Sequence, residues 1–157
     1  MWGKIFFVIL FLCFVSNVQA STERSVILDQ AIRIGQDAAK QAFERTKRQI
    51  FLEVMWRFQE VNIYLPPPND FKACRENPRV VAYRERYTNR ISICSYAFSR
   101  QPANETPYIL GQVLIHEVIH SLGVNSECAT TKIERDILRN SDYEIYIWSR
   151  YDECDYD

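Results

Sequence analysis

The stretch Tyr108–Glu127, YILGQVLIHEVIHSLGVNSE, constrains this 157-residue chain more than any other. Within it His116 and His120 stand four apart. On a helix that spacing puts both imidazoles on one face, one turn apart, within reach of a single metal ion. Glu117 follows the first histidine directly and projects near the same face, where a carboxylate can take a proton from water. Leu114, Ile115, Val118, Ile119 and Leu122 supply an aliphatic stripe that packs such a helix against a core. Gly123 offers a helix stop, since glycine takes the left-handed conformation at no steric cost. The chain has only two histidines, and both lie in this stretch. The competing reading is an amphipathic helix that happens to carry two histidines.

The segment VLIHEVIHSL resembles the zincin metallopeptidases beyond the bare HExxH, with uncharged residues at each variable position, no proline, and apolar residues on both sides. The resemblance is confined to Tyr108–Glu127. It implies a zinc-dependent peptidase acting on proteins or peptides, with Zn2+ as cofactor, His116 and His120 as ligands and Glu117 as general base. The segment Ile91–Cys94, with Phe98 and then VLIHEVIH, also looks faintly like the deuterolysin-type aspzincins, although the glycine-threonine-aspartate motif they carry downstream is absent.

Residues 1–20 read as a secretory signal peptide. Lys4 supplies the positive start, Ile5–Val15 is an unbroken apolar run, and Val18-Gln19-Ala20 is a small-residue cleavage site. The run is short for a bilayer, which needs about 20 apolar residues, so no stable membrane insertion is expected after cleavage; an uncleaved anchor is the alternative. Residues 21–157 have the length of one domain with one core. Losing Lys4 makes the remaining chain one unit more negative than the −1 of the whole. That balance gives no reason to expect nucleic acid or an anionic membrane as a partner. Of the five cysteines, Cys13 lies in the leader. The remaining Cys74, Cys94, Cys128 and Cys154 are an even set in an exported chain, secreted or periplasmic, and argue for two disulfides. The favoured pairing is Cys74–Cys94 and Cys128–Cys154, because the first two flank a hairpin-like segment and the last two lie beyond the metal helix. No CxxC pair is present to form a cysteine-ligated structural zinc.

Residues 23–61 read as one long helix or two consecutive ones. Apolar residues recur at Val26, Ile27, Ala31, Ile34, Ala38 and Ala42, then at Ile50, Phe51, Val54, Met55, Phe58 and Val61. Arg33, Asp37, Lys40, Glu44, Lys47 and Arg48 fill a mixed-charge outer face. Phe51, Trp56 and Phe58 suggest that this segment packs against something substantial. Pro66-Pro67-Pro68 forms a stiff extended link. Val80–Tyr87 and Ile91–Tyr96 are expected as strands around the turn Thr88-Asn89-Arg90. In small zincins a strand near the active-site helix pairs with extended substrate, and the resemblance gives that role to Arg90–Cys94. Asn104-Glu105-Thr106 fits a glycosylation sequon, followed directly by Pro107. Thr131–Arg139 is a second helix, Ser141–Tyr151 an aromatic element, and 152–157 an acidic tail tied by Cys154. The expected fold is α+β: a small zincin-like domain with N-terminal helices, a small antiparallel or mixed sheet, the active-site helix and a C-terminal helical segment.

A catalytic zinc takes three protein ligands and keeps a fourth position open. With no histidine left, the third must be another residue type. The metzincin pattern matches here through Gly123, but its last ligand position is Ser126, a poor ligand. Glu127 comes next; a chain that turns at Gly123 and starts a helix near Ser126 would aim it back at His120. Gluzincin-like sites likewise use a glutamate on a later helix. Glu127 is therefore the first choice, against the simpler reading of a carboxylate suiting a helix N-terminus. Glu134 is the alternative, against a capping box begun by Thr131. Asp136, Asp142 and Glu144 remain behind these. Tyr143 and Tyr146 are candidates for stabilising the oxyanion, against ordinary packed tyrosines. The functional expectation is a zinc endopeptidase. The alternatives are a zincin-like binding or inhibitory protein without turnover, and a zinc hydrolase of cell-wall peptide. Oligomeric state is not legible.

Overall fold

Alanines and glycines let three helices approach closely in the computed structural model. The structure describes residues 3–65, 74, 76, 81–85, 88–98, 104–144 and 154, with side chains from residue 22 onward except that of Tyr96. Helix α1 spans Gly3–Thr46 and α2 spans Gln49–Glu60. Strands β1 (Asn62–Tyr64), β2 (Ala82–Arg84) and β3 (Arg90–Ile93) precede a 3-10 turn at Ser95–Phe98. Helices α3 (Thr106–Ser121) and α4 (Glu127–Arg139) complete the α+β architecture.

The two-helix reading of residues 23–61 holds, and the break falls at Lys47, which takes a positive φ of 57°. Its amide still donates to Phe43 O at 2.7 Å, and Arg48 then adopts extended backbone as the cap of α2. A non-glycine residue in this conformation costs about 1–2 kcal/mol. The fully buried Phe51 and Val54, with Phe58 beside them, offset that cost by bringing α2 back along α1. At Gly35 a Cβ would stand 2.5 Å from Phe58 Cζ, so the crossing needs glycine. Trp56 departs from expectation: it is 54% exposed, on the side of α2 away from the core.

Helix α3 is the centre of the molecule, packed against α1, α2, α4, β2 and the 3-10 turn. Of the expected apolar stripe Leu114, Ile115, Val118 and Ile119 are buried and Leu122 is half-buried; Ile109, Leu110, Gly111, Gln112 and His116 are buried as well, so the helix is enclosed on nearly every side. At Gly111 a Cβ would meet Ile34 Cγ2 at 2.9 Å and the Ala31 carbonyl oxygen at 3.1 Å. Backbone cannot give way there, so α1 and α3 meet at van der Waals distance through Ala31 and Gly111. Pro107 sits in the first turn, where its missing N–H costs nothing. The helix ends at Gly123, whose φ is +93°.

The sheet order is β1-β3-β2, with β1 parallel and β2 antiparallel to β3. The expected hairpin is present in shortened form, and the second strand ends at Ile93, where Ser95–Phe98 coil into the 3-10 turn. Strand β1 is an element the sequence reading missed. Because β3 is paired on both sides, it cannot serve as the substrate-pairing strand. Among the described residues β1 and β2 are the edge strands, and β2 packs on α3. Arg84 shares the inward face of this sheet with Ile91 and Ile93.

Two disulfides join Cys74 to Cys94 and Cys128 to Cys154, the pairing expected. From residue 22 onward, among the described residues, no helix is long and apolar enough to cross a membrane. The Pro66–Pro68 link, Tyr146 and all of the tail but Cys154 lie outside the described residues, as do parts of the segments 80–87 and 141–151.

Candidate metal centre

Helix α4 begins earlier than Thr131, because Ser126 caps it: the Ser126 Oγ accepts the Ala129 N–H at 3.3 Å. Three residues separate Gly123 from α4, so the chain reverses and its first helical residue, Glu127, faces the last turns of α3. Thr131 is then an interior residue of α4, not a cap, and the capping-box reading of Glu134 falls away. The Thr131 hydroxyl oxygen is buried without a hydrogen-bond partner among the described residues.

The result is a convergence of basic atoms. His116 Nε2 and His120 Nε2 lie 3.1 Å apart. Glu127 Oε2 is 3.0 Å from the first, and Glu127 Oε1 is 3.3 Å from the second. One ligand atom from each of the three residues fits within 4.8 Å of the others. At zinc–ligand distances of about 2.0–2.2 Å, neighbouring ligand atoms of a tetrahedron lie about 3.3–3.6 Å apart. The observed separations are close to those edges.

The outward nitrogens decide which tautomers are present. His120 Nδ1 lies 2.6 Å from Val124 O, an atom that only accepts, so Nδ1 carries the hydrogen. Thr130 Oγ1 stands 3.3 Å from the same nitrogen and also donates to Val124 O. His116 Nδ1 faces Glu134 Oε2 at 2.9 Å, again a pure acceptor when ionised. With both Nδ1 atoms protonated, neutral rings turn two Nε2 lone pairs toward each other and toward a carboxylate. Such a cluster repels itself unless a cation stands within it, either a proton or a metal ion. The donor set of two imidazoles and one carboxylate suits zinc. The partners behind the rings are those that orient metal-ligating histidines.

The surrounding charges act in the same sense. Burial alone would lower the His116 pKa, but the hydrogen bond and charge of Glu134, the charge of Glu117 and the Glu127 contact raise it above the ordinary value. Glu127 is pushed up by its partial burial, yet its hydrogen bond to His116 and the charges of both histidines bring it below the usual carboxylate value. The Glu127 side chain is 65% exposed, whereas His116 is 7% and His120 14%. Solvent therefore reaches the group from the α4 side while the rings stand against packed helix. Glu117 is half-buried beside His116.

Of the expected site residues, His116, His120 and Glu127 come together, and Glu134 joins them from behind. Glu134 contacts Nδ1 and not Nε2, on the other ring nitrogen of His116 from Glu127. Thr130 and Val124 were missed; the signal for them was the Gly123 turn, which returns a backbone carbonyl to His120. Tyr143 is elsewhere. Its hydroxyl donates to Asp37 Oδ2 at 2.9 Å, and its ring lies 6.4 Å from that of Tyr108 in the first turn of α3. Eight residues of helix, about 12 Å of rise, separate Tyr108 from His116, so the Tyr143 hydroxyl expected as an oxyanion donor stands away from the histidines. Asp142 bonds Arg45, Asp136 bonds Arg48, and the Glu144 carbonyl accepts from Gln112, all away from the ring nitrogens. No protein-family profile matches this chain, no curated protein is detectably similar to it in sequence, and no solved structure matches its fold.

Proposed function

We propose that this chain is an exported zinc endopeptidase in which His116, His120 and Glu127 hold the metal and Glu117 is the general base. The observation that carries this reading is the meeting of two Nε2 lone pairs and a carboxylate at 3.0–3.3 Å, with each Nδ1 already committed to an acceptor. Zinc held there would supply Lewis acidity, acidifying water and polarising a carbonyl oxygen. Glu117, next to His116 and half-buried, takes the proton of the attacking water on its carboxylate. It then passes that proton to the amide nitrogen as the carbon–nitrogen bond breaks. Glu134 and the Val124 carbonyl keep both rings in the tautomer that presents Nε2. Among the described residues β2 is an edge strand packed on α3, the place where an extended peptide would add by strand pairing. Two disulfides support export to an oxidising compartment.

The test is zinc analysis of the purified protein together with casein cleavage, with and without chelator. One zinc per chain and chelator-sensitive cleavage are expected. Glu117→Gln should keep the zinc and lose cleavage by about 100-fold or more. Zinc without cleavage of any protein would assign the chain to binding or inhibition, and cleavage of peptidoglycan alone would assign it to cell-wall peptide. Undiminished cleavage by Glu117→Gln would overturn the mechanism.

A further inference from the structure

Helix α3 ends in carbonyl oxygens that no further turn of helix can satisfy, and two arginines from different elements meet them. Arg57, from α2, places Nε 3.0 Å from Ser121 Oγ and Nη2 3.4 Å from Ser121 O. Arg84, from β2, donates from Nη1 to His120 O at 2.7 Å. The same His120 carbonyl accepts the Gly123 amide at 3.0 Å. One residue further on, Val124 O returns to His120 Nδ1 at 2.6 Å. The backbone oxygen of His120 and the ring of His120 are thus two ends of one tight turn, and Arg84 grips that turn where it begins. Arg57 bonds the neighbouring residue, Ser121, at its hydroxyl and its carbonyl oxygen.

The geometry points to Arg84 as a positioning residue for His120: it fixes the helix-exit turn, and so the Val124 carbonyl and the ring, from the edge strand β2. This assignment rests on the metal reading of His120 and deepens it. Arg84 lies on the inward face of β2, so whatever holds β2 in place also holds the second histidine. A guanidinium suits the task because it is always charged and presents a rigid fork of donors, and a cation at a helix C-terminus also suits the helix dipole.

The experiment compares Arg84→Met, Arg84→Gln and Arg84→Lys with Arg57→Met in the otherwise unchanged protein. Dissociation constants for Zn2+ and Co2+, the visible spectrum of bound Co2+, and amide exchange at Gly123 in the metal-free protein are measured. Arg84→Met and Arg84→Gln should weaken both ions about 10-fold, in the range for loss of an outer-shell partner, alter the Co2+ bands and speed Gly123 exchange. Arg84→Lys, which keeps a charged donor, should recover most of the affinity. Arg57→Met should lower the thermal midpoint and leave metal affinity and the Co2+ bands unchanged. Wild-type affinity and unaltered Gly123 exchange in the Arg84 variants would overturn the assignment. So would an equal loss of affinity in Arg57→Met, which would reduce Arg84 to an ordinary helix cap. Should the wild-type protein bind neither ion, the functional reading fails, while Gly123 exchange still decides whether Arg84 governs the turn.

Discussion

Two polar clusters flank α3, one near each end, and they differ in their count of hydrogens. Near the N-terminal end, Asp37 accepts from Tyr143 Oη at 2.9 Å and from Gln41 Nε2 at 2.8 Å, and Gln41 Oε1 accepts the Asp142 amide at 2.9 Å. Each of these contacts pairs a donor with an acceptor. Near the C-terminal end, four accepting atoms on three side chains confront one another at 3.0–3.3 Å, and the hydrogens of both rings are used outward. The first cluster is complete as it stands and ties the chain after α4 to α1. The second is complete only around a cation. Polar groups in a fold are ordinarily satisfied, so this convergence of acceptors is a group that could hold a cation.

The largest effect that can break this contrast is expected from Glu127→Gln. It removes the charge from the third corner while keeping its size, and a neutral amide is a far poorer zinc ligand than a carboxylate. Zinc affinity should fall by more than about 100-fold, beyond the span for outer-shell losses, and cleavage should fall with it. Competition against a chelator of known affinity gives the number. Unchanged affinity would place the third ligand elsewhere and remove Glu127 from the centre.

Glu134→Gln should come next, because it acts through the His116 ring. The amide oxygen can still accept from Nδ1, but the charge that strengthens the ring as a ligand is lost. A fall of about 10–100-fold in zinc affinity is expected, with the metal still bound at saturating concentration. A loss as large as that of Glu127→Gln would mean that Glu134 touches the metal itself. The same comparison can be read as stability. Zinc at about 100 times its dissociation constant should add about 2.7 kcal/mol to unfolding, and the gain at a fixed zinc concentration should shrink in the order wild type, Glu134→Gln, Glu127→Gln.

Much of the second cluster was legible in the residues themselves. The spacing of His116 and His120, the stop at Gly123 and the polar Ser126-Glu127 pair are local signals, and local signals survive folding when the helices they describe are buried. Glu134 was visible as a candidate, but its place behind the ring depended on where α4 starts. That was settled by Ser126, five residues before the expected start at Thr131. Strand β1 left no trace because a run of three residues has no readable period, and its partner β3 is reached only after a long crossover. The break at Lys47 was equally silent, since neither glycine nor proline announces it. Trp56 was misplaced for a different reason: an aromatic residue on a helix says nothing about its face until the neighbouring helices are known. The first cluster was missed altogether. Asp37 read as one more charge on a solvated face, and only the return of the chain at Tyr143 gives it a partner.

The smallest expected effect sharpens the contrast from the complete side. Tyr143→Phe removes one hydroxyl from a cluster in which Asp37 keeps the Gln41 donor, so the loss should be about 1 kcal/mol. Zinc affinity should stay as in wild type, because the phenol lies two turns from the histidines. The pH dependence gives a more specific signature. Burial first, then the hydrogen bond to Asp37 and its charge, push the Tyr143 hydroxyl from 10.0 up to about 12. A folded pKa raised above the unfolded one stabilises fully below the unfolded value and is lost as pH climbs through the folded value. Wild type should therefore surrender this increment between about pH 10 and pH 12. In the difference between wild-type and Tyr143→Phe unfolding curves the other tyrosines cancel, leaving that single step. A difference that stays flat across the window would mean that the hydroxyl is not donated to Asp37, and one accompanied by altered zinc affinity would join the two clusters into one.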